Sequence, residues 1–258
     1  MLCLPDHHRE AEFRCICQTD AVFGTTILSL WHSHRDNWRD FSAWLGTDGR
    51  GKPRYALCRY GRCYTLCAPK CLTPFSRDEL CAFLRLEPNL ELEGDGAVLK
   101  TLPLGLPLEE KKILSSSKKG FVKMENISIC KDYTALCRFI QQEQALDREK
   151  YLSKMFPLFR NGMCLPFVFE INHKILACGL LELGEKSSYG LISTVITDKK
   201  QRGRGIGRLI VQHLCACCEE QQRIPCLVCA EDRLTDFYMP LGFEILPQRY
   251  GLLKGKPE

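Results

Sequence analysis

The sequence lacks an apolar run long enough to span a membrane, because Lys, Arg or Glu interrupts its longest hydrophobic stretches. It also lacks the apolar core of a secretory leader, since Asp6, His7, His8, Arg9 and Glu10 fall within the first ten residues, and the cytoplasm is the expected location. No strong charge excess is present: 36 Lys and Arg face 31 Asp and Glu, and the net +5 suits an anionic cofactor as well as a nucleic acid. A disulfide framework is missing too, because the 17 cysteines are odd in number and scattered through both halves. Cysteines inside apolar runs, as in Cys15-Ile16-Cys17 and Cys226-Leu227-Val228-Cys229, read as small buried hydrophobes. The series Cys58, Cys63, Cys67, Cys71 lacks the paired C-x2-C spacing of zinc sites, so no metal is expected.

What is present is the composition of a globular chain of 258 residues, enough for one large domain or two modest ones. Residues 1–100 read as a small α/β unit. Val22 to Trp31 is β-branched enough for a strand, and Trp38, Phe41, Trp44 and Leu45 recur at helical spacing. Tyr55 to Arg59 and Cys63 to Cys67 form a hairpin about Tyr60-Gly61-Arg62, Ser76 and Glu79 make a capping box, and Leu90 to Leu92 adds a strand. The glycines between 46 and 51 precede Pro53 and offer no strand-to-helix turn, so they read as a surface loop. His32 and His34 read as solvated or structural. The change of composition over residues 101–120, rich in Pro, Gly, Ser and Lys, marks a linker.

Residues 121–258 form the second unit. Val122 to Ile129 is read as a strand, Asp132 to Phe159 as two helices, and Leu165 to Ile171 and Ile175 to Leu183 as strands joined by the turn Asn172-His173-Lys174. A third strand, ending at Thr197, runs into Gln201-Arg202-Gly203-Arg204-Gly205-Ile206-Gly207. After it Ile206, Ile210, Leu214 and Cys218 share one helical face. A strand, then glycines, then a helix whose first N–H groups have no internal partner is an anion site.

Two motifs carry a resemblance. Arg202-Gly203-Arg204-Gly205-Ile206-Gly207 matches the [Q/R]-x-x-G-x-[G/A] loop of the GNAT superfamily of acyl-CoA-dependent N-acetyltransferases, and Thr235 to Phe243 matches its closing FY-x-x-LGF segment. The resemblance implies an α+β fold with a mixed, mostly antiparallel central sheet flanked by helices, beside a smaller N-terminal α/β unit. It implies acetyl-CoA as co-substrate, with the pyrophosphate on the backbone from Arg202 to Gly207 and on Arg202, Arg204 and Arg208, and the pantetheine arm on Val195, Ile196 and Thr197. An amide near Val195 or Ile196 serves as oxyanion donor, and Tyr238 takes the place of the general acid. Tyr238 also reads as an aromatic packing beneath Phe243. Glu182 and Glu170 are candidate bases, though each also reads as a solvent-facing strand residue, and a water chain is the alternative. Glu231 stands where many relatives keep an asparagine that contacts the cofactor.

The expected activity is acetyl transfer to a primary amine of a small molecule or peptide by direct attack in a ternary complex. The alternative is a non-catalytic acetyl-CoA-binding sensor or regulatory module. Nucleic-acid binding is disfavoured because the loop is not low-complexity, and no membrane partner is expected. The N-terminal unit is similar, in element order alone, to a degenerate partial copy of the same fold. It lacks the glycine loop, so one cofactor site per chain is expected, with this unit shaping the acceptor pocket.

Overall fold

In the computed structural model, which describes residues 1–255 other than 38, 69–70, 145–147 and 230, one order of elements occurs twice. The first half runs β1 (Leu2–Cys3), α1 (Glu10–Gln18), α2 (Phe23–His34), β2 (Phe41–Thr47), β3 (Pro53–Tyr60), β4 (Cys63–Cys67), α3 (Pro74–Leu84), β5 (Glu91–Asp95), α4 (Gly96–Leu99) and β6 (Leu108–Ser115). The second runs β7 (Ile127–Ile129), α5 (Tyr133–Glu143), α6 (Arg148–Arg160), β8 (Cys164–Ile171), β9 (Lys174–Glu182), β10 (Tyr189–Thr197), α7 (Ile206–Glu220), β11 (Ile224–Cys229), α8 (Thr235–Tyr238) and β12 (Glu244–Lys254). The first half therefore holds the whole order and not a part of it.

All these strands join one sheet, ordered β1-β2-β3-β4-β5-β12-β6-β11-β10-β9-β8-β7. Neighbours are antiparallel except at β4–β5 and β10–β11, the same place in each half. The last strands are exchanged: β12 pairs with β5 from Tyr250↔Asp95 to Lys254↔Glu91, while β6 pairs with β11 from Cys226↔Ser115 to Cys229↔Lys112. The two exchanged strands also pair with each other and close the sheet at its centre. Each half thus completes its sheet with a strand from the other, which ties the two together in a way surface contacts alone do not.

Several sequence expectations are corrected. Val22 to Trp31 is helical, because Phe23, Ile27, Leu28 and Leu30 are buried together with Thr25 and Ser29. A helix buried on nearly all sides loses its 3.6-residue signature and reads as an apolar run. The stretch expected as a helix holds β2, in which Phe41, Ala43 and Leu45 alternate toward one face while Trp44 stacks on Tyr64 and meets Phe83 edge-on on the other. Trp38 of that reading lies outside the described residues. Within the expected linker, Leu108–Ser115 is strand β6, with Ile113 and Leu114 fully buried. Of Val122 to Ile129, the ladder takes only Ile127–Ile129. The α3 cap is Thr73, not Ser76: Thr73 Oγ1 accepts from the Ser76 N–H at 3.2 Å, and Pro74 opens the helix.

The core lies on both faces of the sheet. One face packs α1, α2, α5 and α6 through Phe13, Phe23, Ile27, Leu136, Ile140 and Leu158. On the other face α7 lays Ile206, Ile210, Leu214 and Cys218 against β9, β10 and β11, the stripe expected from the sequence. Polar contacts cross between the halves on the first face, including Thr25 Oγ1 to Ser187 Oγ at 2.8 Å and Gln248 Nε2 donating to Asp20 Oδ2 at 2.9 Å. Cysteine behaves as a hydrophobe: burial pushes the thiols of Cys58, Cys178 and Cys215 up, so they stay protonated.

Candidate active site

The strand β10 makes the site by leaving its neighbour. It pairs with β11 from Tyr189↔Ile224 to Ile192↔Leu227 and then parts from it, while its register with β9 shifts between Ser193 and Ile196. Thr194 takes φ 51° at this bulge, a conformation a β-branched residue adopts only under constraint. Val195, Ile196 and Thr197 are thereby freed from β11 and line one wall of a cleft of about 870 Å³.

The glycine loop closes one end of that cleft. Gly203 and Gly205 have φ of 78° and 80°, and a Cβ at either would stand in open space. Gly205 is the N-cap of α7 and supplies no side chain to the first turn, so the helix starts with N–H groups free for a ligand. Asp198 Oδ1 turns the chain into the loop by accepting from the Lys200 N–H at 2.8 Å. Arg202 lies at the rim, donating from Nε to the Thr197 carbonyl at 3.1 Å and from Nη2 to Glu143 Oε2 at 3.0 Å. Arg204 and Arg208 are exposed.

Tyr238 reaches the same cleft from α8. Its ring packs edge-on against Phe237 and Phe243, at centroid distances of 4.9 and 5.7 Å. The ring is therefore both a packing aromatic and a cleft-lining one. Burial, aided by Cys229, pushes its phenol up to about 12, so it holds its proton at neutral pH. Residues 195–197, 202–203, 205–208 and 238 thus meet around one cleft.

The cleft also includes side chains the sequence reading did not assign to the cofactor. Phe237 and Leu234 add an apolar wall, Glu231 faces it with its carboxylate paired to Arg233, and Glu143 comes from the end of α5. Phe237 was legible in the FY motif. Glu143 had no local signal, since only the tertiary fold brings α5 to the loop.

The two candidate bases separate. Glu170 is exposed on β8. Glu182 is absent from the cleft lining and sits on the other side of β10, where Ser193 Oγ donates to its Oε1 at 3.4 Å. Burial raises its affinity for a proton against the opposing pull of Lys154, and Glu93 adds to the rise. Among the described residues no three His, Cys, Asp or Glu side chains converge as a metal site.

Residues 164–245, which hold most of this cleft, match the family model of the acetyltransferase (GNAT) domain. The chain therefore carries a GNAT domain in its second half. Its whole length is similar in fold to a tandem GNAT protein from the clavulanic acid biosynthesis pathway, with TM-score 0.63, 12% identity, and coverage of 100% of this chain and 98% of that one. A GCN5-related N-acetyltransferase from Kribbella flavida gives TM-score 0.59 at 12% identity, covering 90% of this chain and 96% of that one. A GNAT-family acetyltransferase from Colwellia psychrerythraea gives 0.58 at 14%, covering 88% and 90%. No curated protein matches the sequence. At these identities the likeness is one of fold, and the fold is that of GNAT acetyltransferases in tandem.

Proposed function

We propose that the chain is an N-acetyltransferase that moves an acetyl group from acetyl-CoA to a primary amine by direct attack. The observation that carries this reading is the junction of the uncapped α7 N-terminus, the freed edge of β10 and Tyr238 in one cleft. Acetyl-CoA supplies a thioester carbon to which the amine nitrogen bonds as the carbon–sulfur bond breaks. The residues present fit it. The side-chain-free cradle at Gly203 and Gly205 and the α7 N–H groups receive a pyrophosphate. Backbone groups of Val195 to Thr197 pair with an extended amide-bearing arm, and an N–H near Val195 or Ile196 polarises the thioester oxygen. Tyr238 gives its proton to the departing sulfur, and Glu182, which does not line the cleft, takes one from the amine through intervening water. Burial keeps the thiols of Cys58, Cys178 and Cys215 protonated, and among the described residues no cysteine lines the cleft to form an acyl-enzyme.

The experiment is release of free thiol from acetyl-CoA across a panel of primary amines, with Tyr238→Phe beside the parent. Loss of roughly a hundred- to ten-thousandfold in kcat, with acetyl-CoA affinity kept, is the expected result for a general acid. Tight acetyl-CoA binding without amine-dependent thiol release, and no effect of Tyr238→Phe, would instead identify a binding module. The pH profile adds a sign. Glu182 works unprotonated and its proton affinity is raised by burial, so kcat/KM falls on the acid side as pH drops through that raised value. The alkaline limb waits for Tyr238, near pH 12.

A further inference from the structure

Among the described residues, the charged side chains that line the cleft are three arginines, Arg202, Arg208 and Arg233, and two glutamates, Glu143 and Glu231. The two carboxylates stand in different surroundings. Glu231 and its partner Arg233 are both more than half exposed, so water solvates that pair and little depends on it. Glu143, on the last turn of α5, keeps only 10% of its side chain exposed and pairs with Arg202 Nη2 at 3.0 Å. A carboxylate so far out of water is costly unless a cation stands beside it. Its guanidinium partner is the exposed member of the pair, 56% accessible, and belongs to the coenzyme loop with its Nε committed to the Thr197 carbonyl at 3.1 Å.

Loading the donor changes this balance. The free cleft has one positive charge in excess among those five side chains, and a pyrophosphate brings two negative charges to the loop that Arg202 opens. The loaded cleft is therefore net negative. One guanidinium then serves the phosphates and the Glu143 carboxylate together, and a phosphate engages it at least as strongly as a carboxylate does. Gln144, which lines the cleft beside Glu143, supplies no charge to make up the difference. We infer that Glu143 selects the acceptor: in the donor-loaded cleft its carboxylate takes a second positive charge carried by the acceptor, which is an alkyl diamine. The nitrogen that Glu143 holds is not the one that attacks. This rests on the enzyme reading above. A monoamine leaves Glu143 sharing its guanidinium, and an amino acid adds another anion to a cleft already negative, so each forfeits a charge-assisted bond. In the free protein Arg202 occupies the carboxylate, so the diamine binds after the donor and each tightens the other.

The test is calorimetric titration of the free and the coenzyme A-saturated protein with short α,ω-diamines, each beside the monoamine and the ω-amino acid of the same chain length. Thiol release from acetyl-CoA is measured on the same panel. At least one diamine is expected to bind the saturated protein about tenfold more tightly than its monoamine does, and about tenfold more tightly than it binds the free protein. Glu143→Gln should erase both ratios, with the loss in diamine turnover falling on KM, while Glu143→Asp should keep part of them. Equal binding of diamine and monoamine, equal binding to free and saturated protein, a preference that survives Glu143→Gln, or no diamine binding at all overturns the inference. A fall in coenzyme A affinity in Glu143→Gln overturns it too, because Glu143 would then hold Arg202 in place for the donor. Thiol release confined to monoamines or amino acids overturns the inference but leaves the enzyme reading standing. Glu143-dependent diamine binding to the saturated protein without thiol release supports the subsite and overturns the enzyme reading instead.

Discussion

The two halves share one order of elements and differ at the passage from the fourth strand into the following helix. In the second half β10 runs five residues past its last pairing with β11, from Ser193 to Thr197, and α7 begins at a left-handed glycine with no side-chain cap. In the first half β4 ends at Cys67, one residue past its last pairing with β5 at Leu66↔Gly94. There α3 begins at Thr73, whose own hydroxyl takes a first-turn N–H. Ser76 Oγ donates to the Thr47 carbonyl at 3.2 Å, and Glu79 holds the chain's first amino group at 2.7 Å. One helix N-terminus is thus left for a ligand, and the other is spent on the fold. Residues 69–70 of that second junction lie outside the described residues, so the contrast rests on the strand ends and the caps. Among the described residues it supports one cofactor cleft per chain.

The sharpest way to break the comparison is to give the second half a side chain where the first half has one. Gly205→Val puts a β-branched residue at φ 80° and its bulk where the cradle is open. Strain of about 1–2 kcal/mol at that residue, together with lost charge-assisted bonds to the ligand, should weaken acetyl-CoA binding by about a hundredfold. Calorimetric titration reads the loss, and an unchanged affinity would remove the loop from the site. A smaller effect is expected at the rim. Glu143→Gln frees Arg202 from its ion pair at 3.0 Å, and affinity should rise about two- to fivefold, the scale of a partly exposed pair. A fall in affinity would mean that Glu143 positions Arg202 and does not compete for it.

How much of this was legible follows the same divide. Where a side chain's role is set by neighbours in sequence, the reading held: the glycine loop, the α7 stripe and the turn at Asn172 and His173, both at positive φ, all stand in the structure. Where burial is two-sided, pattern failed, as in α2 with its apolar residues all round and β2 with Trp44 on the reverse face. The strand β6 hid in a segment of Pro, Gly and Lys because its charged first half faces solvent and only Ile113 and Leu114 are buried. Nothing in a linear sequence announces an exchange of end strands. Glu182 was a candidate base from its place on a strand, yet in the structure it is absent from the cleft lining and takes a bond from Ser193 of the neighbouring strand.

The remaining predictions sharpen the comparison through stability. Thr73→Ala removes the α3 cap and should cost about 1 kcal/mol in chemical denaturation without altering acetyl-CoA affinity, the reverse of the Gly205 result. Last, each half buries one histidine uncharged. His34 in α2 is depressed by burial despite its bond to the Lys154 carbonyl, and His213 in α7 is depressed by burial and by Lys123 while its Nδ1 accepts from the Met124 N–H at 3.1 Å. Both fall below the ordinary 6.5, so the stability they contribute is present above pH 6.5 and is lost as pH drops through their lowered values. His213→Asn keeps an acceptor for Met124 but cannot charge. Its denaturation midpoint should therefore fall less than the parent's between pH 7 and pH 5, whereas His34→Asn should blunt the same loss from the other half. If neither variant changes the slope, the acid lability arises from carboxylates, and the two histidines are neutral spectators of the fold.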